Sequence, residues 1–267
     1  MTRFNAQNRV DATLISNLRI MRRTLINQIS KRCDKSKEII TGVVHALLSR
    51  SIFIKYLEER KDSNGETVFP QDFYCNFMES AKRYTDVLNS KEATYNLFRI
   101  LKDKFNGDTL QVSEIETEII TQDDLDELRT FILGDSELES RQLTLWPIYS
   151  FDIIPIQLIS SIYELFFHLS DEEDEKGTYY TPLHLVNLVM DEVYPWEGKY
   201  KDISFFDPSC GSGIFLVEAY RRLVCRWMSQ NAVQAITCDQ LNLLLKNSIF
   251  GVDINEEAIR VASFSLS

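Results

Sequence analysis

A sixteen-residue stretch, FFDPSCGSGIFLVEAY (Phe205–Tyr220), constrains the fold more tightly than any other part of the chain. It opens on a short apolar, β-rich run that ends at Asp207. Gly211 and Gly213 follow, and from Ile214 the apolar residues take helical spacing. That order specifies a strand, a tight turn and the start of a helix. A second run of the same form, NSIFGVD, ends on Asp253 and is again followed by helical sequence. Strands that alternate with helices imply a parallel sheet, with ligands at the strand carboxyl ends.

Upstream the pattern is different. Glycine is scarce over the first 150 residues, which read as helices. IITGVVHALLSRSIFIKYLEER (Ile39–Arg60) places Ile40, Val43, Val44, Leu47, Leu48, Ile52 and Leu57 near three-to-four spacing. ATYNLFRILKDKF and TQDDLDELRTFIL read alike, the second with Thr121 as its N-cap. DSNG at 62–65 and FNGD at 105–108 mark turns between helices. A further helix, IIPIQLISSIYELFFHL, runs into SDEEDEKG, an acidic run of the kind that forms a solvated connector. The expected organisation is an all-helical N-terminal domain, residues 1–150, followed over 151–267 by the beginning of an α/β domain.

Composition excludes several classes. With 44% hydrophobic and 26% charged residues among 267, the chain has a globular profile. No run of apolar residues approaches the roughly 18 needed to cross a membrane. MTRFNAQNRVDATL has no apolar core of a secretory signal, so a cytoplasmic chain without a membrane partner is expected. The five cysteines are scattered, with no C-x-x-C and no histidine at ligand spacing, which points to reduced thiols and no metal site. A net charge of −11 argues against a surface that grips nucleic acid throughout. The charge is uneven, however: Met1 to Arg60 carries twelve Lys and Arg against five Asp and Glu. That excess suits a solvated helix face or a segment that touches phosphate.

Three ligand types use a glycine turn at a strand end. A phosphate-binding loop requires Gly-Lys-Ser/Thr, but Gly213 is followed by Ile214 and Phe215. A dinucleotide site prefers a third glycine, where Leu216 stands, and an acid about twenty residues on, where the stretch near Trp227 has none. The remaining pattern, Asp207-x-x-x-Gly211-x-Gly213 with a second strand ending in Asp253, matches S-adenosylmethionine enzymes. The glycines would let the backbone approach the methionine portion, and the helix start beyond offers amide groups. Asp207 is placed to bond the ligand's ammonium, Asp253 to accept the ribose hydroxyls, and Ile254 to cover one adenine face. On these residues alone an ordinary strand–turn–helix junction remains open as an alternative. Upstream, GTYYTP (Gly177–Pro182) reads as a helix start, with Thr181 as N-cap and Pro182 at the first helical position. Tyr179 and Tyr180 before it can wall an aromatic pocket.

Taken in order, KGTYYTP, DPSCGSGIFLVEA and IFGVDINEEAIRVASFSL resemble the N6-adenine DNA methyltransferases of restriction–modification systems. The likeness is strongest to the modification subunit of type I systems and its single-chain relatives. HALLSRSIFIKYLEERK, YNLFRILKDKFNGD and IPIQLISSIYELF are more loosely similar to the helical domain those subunits carry. The resemblance implies that the second domain is the N-terminal part of a Rossmann-like, S-adenosylmethionine-dependent methyltransferase domain. It implies that Tyr179, Tyr180, Thr181 and Pro182 border the methionine end of the cofactor. Asp207, Pro208, Cys210, Gly211 and Gly213 would form the cofactor turn, and Asp253 and Ile254 would hold the adenosine. Cys210 reads as a small residue packed under the turn rather than a nucleophile, since no base is evident beside it. The gap from Asp207 to Asp253 is long for one strand–helix–strand unit, and SQNAVQAITCDQLNLLLKN supplies a second helix.

The family also uses an Asn/Asp-Pro-Pro-aromatic loop, which accepts the adenine N6 hydrogens while the aromatic stacks on the flipped base. The 267 residues contain no such tetrapeptide, and their sole Asp-Pro is Asp207-Pro208. The expectation is a truncated chain with cofactor motifs, no catalytic residue and no DNA methylation by itself. Double-stranded DNA, a specificity subunit and a restriction (nuclease) subunit are the partners the resemblance implies. A non-catalytic helical interaction module with a vestigial cofactor fold is the alternative. A methyltransferase acting on a small molecule or a protein suits the paired motifs less well.

Overall fold

Leu14, Leu18, Met21, Leu25 and Ile29 recur every three or four residues and bury one face of a 27-residue helix, α1 (Ala6–Arg32). The computed structural model describes residues 6–61, 65–105, 110–134, 181–254 and 256–266. It divides the chain into two units, Met1–Pro155 and Ile156–Ser267. In the first, the Ser36 hydroxyl accepts from the Ile39 amide and opens α2 (Lys37–Glu59), which packs on α1 and buries Ile40, Val44, Leu47 and Leu48. By length and composition α2 is apolar enough to cross a membrane, a departure from the sequence expectation. Its apolar window is 72% buried inside the protein, the pattern of a core helix.

After a 3-10 turn (Phe73–Asn76), the described part of this unit continues with α3 (Tyr84–Val87), α4 (Lys91–Phe105), α5 (Glu114–Ile119) and α6 (Gln122–Leu133). Asp124 reaches back to accept from the Thr121 amide at 2.8 Å, closing the start of α6, and Gly134 ends it in the left-handed region. Arginines of these helices bond side chains of neighbouring helices. Arg50 donates to both Glu116 oxygens at 2.7 Å and lies 4.8 Å from the Phe98 ring. Arg32 pairs with Asp124, and Arg22 Nε donates to His45 Nε2 at 2.7 Å. Burial, and then the Arg22 charge, lower the His45 pKa to about 4. The basic excess of the first sixty residues is thus partly internal: Arg22 and Arg50 are buried, whereas Arg19, Arg23, Lys31 and Lys35 are exposed. DSNG and FNGD, the acidic run and the helix expected over IIPIQLISSIYELFFHL lie wholly or partly outside the described residues.

The second unit holds α7 (Leu183–Val193), β1 (Phe205–Asp207), α8 (Ile214–Gln230), α9 (Cys238–Ser248), β2 (Ile249–Gly251) and α10 (Glu256–Leu266). The strands pair in parallel, Phe205 with Ile249, Phe206 with Phe250 and Asp207 with Gly251. The long interval between them is filled by α8 and α9, the second capped by the Thr237 hydroxyl. Helix α8 packs against both strands and against α7, α9 and α10. Val186, Met190 and Tyr194 share a core with Ile214, Ala219, Leu223 and Leu244.

Two arginines of α8 fasten α7 and the loop after it. Arg222 donates to Glu218 at 2.9 Å and to the Tyr194 carbonyl at 3.1 Å, and pairs with Asp191 at 2.7 Å. Arg226 lies 3.7 Å from the Tyr194 ring centre and donates to the carbonyls of Pro195 and Glu197. At the other end of α7 the sequence reading is off by one residue. Pro182, not Thr181, is the N-cap, because its extended ψ of 140° turns its carbonyl toward the Leu185 and Val186 amides.

Candidate functional site at the strand ends

Beyond β1 the chain leaves the sheet gradually, and every step is hydrogen-bonded. The Val252 amide donates to the Asp207 carbonyl at 3.0 Å, and the Cys210 amide donates to the Val252 carbonyl at 3.0 Å. A regular parallel ladder would use the amide of residue 209 there; the turn inserts one residue, and the Ser209 amide donates instead to Asp207 Oδ1 at 3.1 Å. The Gly211 amide donates to Asp253 Oδ2 at 2.8 Å. The Gly213 amide donates to the Cys210 carbonyl at 2.8 Å, and Gly213 caps α8.

Both glycines of the turn are left-handed, Gly211 at φ +52° and Gly213 at φ +82°. At Gly213 a further reason emerges that the sequence did not disclose. A Cβ there would stand 2.7 Å from the Ala262 Cβ, so the glycine lets α10 close against the turn. Gly251, which sequence reading passed over, is constrained by space alone: its Cβ would meet Leu216 Cδ1 at 2.5 Å and Cys210 Sγ at 3.0 Å. A small residue inside an otherwise β-branched and aromatic strand was the available signal.

Cys210 is buried, and its thiol is raised to about 11 by burial and by the neighbouring Asp207 and Asp253 charges. At neutral pH it is therefore a thiol, not a thiolate nucleophile. The two carboxylates that act on it belong to the ends of adjacent strands and are half-buried. The N-cap of α8 is Gly213, which makes no side-chain cap hydrogen bond. The surface beside the turn thus combines two acids with the amide end of a helix, a donor set suited to a small zwitterion with a cationic centre.

The structure brings together Asp207, Cys210, Gly211, Gly213 and Asp253. Pro208 is exposed, and Ile254 stands fully exposed past the end of β2. Thr181 and Pro182 are half-buried at the start of α7, and Tyr179 and Tyr180 lie outside the described residues. Among the described residues there is no cluster of His, Cys, Asp or Glu that could hold a metal ion.

This is the carboxyl end of the strands in a parallel strand–turn–helix unit. Residues 155–267 match the family model described as N-6 DNA Methylase. Over that segment, less than half of the chain, the protein is similar to N6-adenine DNA methyltransferases. Over 70 residues it is 39% identical to the adenine-specific methyltransferase PglX of Streptomyces coelicolor, covering 26% of this chain and 6% of that one. Over 81 residues it is 36% identical to the adenine-specific methyltransferase BrxX of Escherichia coli O9:H4, covering 30% and 6%. The matched segments thus span only about one-sixteenth of those relatives. A solved modification subunit of a type I restriction enzyme from Vibrio vulnificus aligns with a TM-score of 0.44 and 14% identity, over 94% of this chain and 53% of that one.

Proposed function

We propose that the turn between β1 and α8 binds S-adenosylmethionine, and that the protein serves site-specific N6-methylation of adenine in DNA within a restriction–modification system. In this reading the second unit is the N-terminal part of a Rossmann-like methyltransferase domain. The observation that carries it is the placement of Asp207 and Asp253 on either side of one glycine turn. Bound there, the cofactor supplies a methyl group on a positively charged sulfur. Asp207 and Asp253 bring negative charge to the side where the ligand's ammonium and ribose would lie, and the amides that open α8 suit its carboxylate. Gly213 keeps α10 tight behind the turn, and Cys210 fills the space beneath it without reacting.

No Asn-Pro-Pro-aromatic tetrapeptide occurs in the 267 residues, so this stretch of chain holds cofactor residues and no base-accepting loop. Double-stranded DNA is the proposed substrate, read through a specificity subunit, with a restriction subunit as a further partner. The exposed Arg19, Arg23, Lys31 and Lys35 of the helical unit offer phosphate contacts.

The test is calorimetric titration with S-adenosylmethionine. Saturable binding is expected, weakened roughly ten- to a hundredfold in Asp253→Ala. Equal affinity in the variant would remove Asp253 from the site, and no saturable binding by the unaltered chain would overturn the reading.

A further inference from the structure

The Asp253 carboxylate does something that a ligand contact alone does not require. The chain past Asp207 bulges by one residue, so the regular acceptors of the ladder end at the Val252 carbonyl. The next amide that needs an acceptor is that of Gly211, held at φ +52°. Asp253 Oδ2 takes it at 2.8 Å, across 42 residues of sequence. A side-chain oxygen thereby replaces the missing ladder carbonyl and carries the strand pairing one step into the turn.

From this geometry we infer that Asp253 is a positioning residue for the glycine turn: it fixes Gly211 to the end of β2 before any ligand arrives. The inference deepens the proposed cofactor reading, since a pre-set turn would spare the ligand the cost of ordering it. It concerns the ligand-free chain, however, and can be checked there. A substitution at Asp253 therefore acts in two separable ways, through the turn and through the ligand. Asparagine keeps an acceptor oxygen for Gly211 but removes the charge, and alanine removes both.

Cys210-Gly211 is the sole Cys-Gly dipeptide in the chain, so carbonyl-¹³C cysteine with ¹⁵N glycine isolates the Gly211 amide in an NMR spectrum. Without ligand, Asp253→Ala should speed exchange of that amide roughly ten- to a hundredfold, and its proton should move upfield. Asp253→Asn should rescue most of the protection while still losing S-adenosylmethionine affinity. Unchanged Gly211 exchange in Asp253→Ala would overturn the positioning role, whatever happens to ligand binding. Faster exchange with no S-adenosylmethionine binding by the unaltered chain would uphold the positioning role and sink the cofactor reading. Equal acceleration in the alanine and asparagine variants would also count against it, as a packing defect rather than a lost acceptor.

Discussion

The two units place their charges differently. In the helical unit charged groups are turned onto partners within the protein: Arg50 and Glu116 are buried together, buried Arg22 donates to a His45 kept neutral, and Arg32 reaches in from the surface to buried Asp124. The Arg22–His45 bond joins consecutive helices, and the other two pairs join helices far apart in sequence. In the second unit, Arg222 and Arg226 act as fasteners for α7, but the two acids at the strand ends stay half-exposed around a turn built from backbone hydrogen bonds. A buried, satisfied charge specifies packing, and one held at a strand end beside a helix N-terminus can meet a ligand.

That contrast can be broken most directly at Glu116. Truncating it to alanine strands the Arg50 guanidinium at 0% exposure and should cost about 3–5 kcal/mol in urea unfolding. A loss under about 1 kcal/mol would show that the pair holds nothing together. In the second unit the largest effect should come from Gly213→Ala, which combines a left-handed φ with a 2.7 Å approach to Ala262. Roughly 2–4 kcal/mol is expected from that strain and overpacking, read from the unfolding of the second unit.

His45 sharpens the comparison through pH. The unfolded chain takes up its proton near pH 6.5 and the folded chain only near 4. Its contribution is full above pH 6.5 and is lost as pH falls toward 4. Unfolding at pH 4.5 should therefore be easier than at pH 7 by about 2–3 kcal/mol on this account, and His45→Gln should flatten that slope. Smallest of all, the exposed Lys35–Glu118 pair at 3.7 Å should be dispensable: Lys35→Gln should leave the melting curve unchanged.

Different parts of the chain were legible to different degrees. The strand–turn–helix at Phe205–Tyr220 and the second helix before β2 could be read locally, because apolar period and glycine placement are local signals. The helices around Ile39–Arg60 and Thr121–Leu133 were readable for the same reason. What could not be read depends on partners far along the chain. Ala262 explains Gly213, Leu216 and Cys210 explain Gly251, and Glu116 explains why an arginine sits in the middle of an apolar helix. The Thr-Pro pair favours Thr at the N-cap and Pro at the first helical position, and the observed start, one residue later at Pro182, goes against that local preference.

The most direct measurement is a crystal structure of the protein with S-adenosylmethionine at saturating concentration. The ligand is expected along the carboxyl ends of β1 and β2, its ribose within hydrogen-bond reach of Asp253 and its amino-acid end between Asp207 and the start of α8. A ligand bound elsewhere, or a turn with no ligand at saturation, would contradict the assignment of this site.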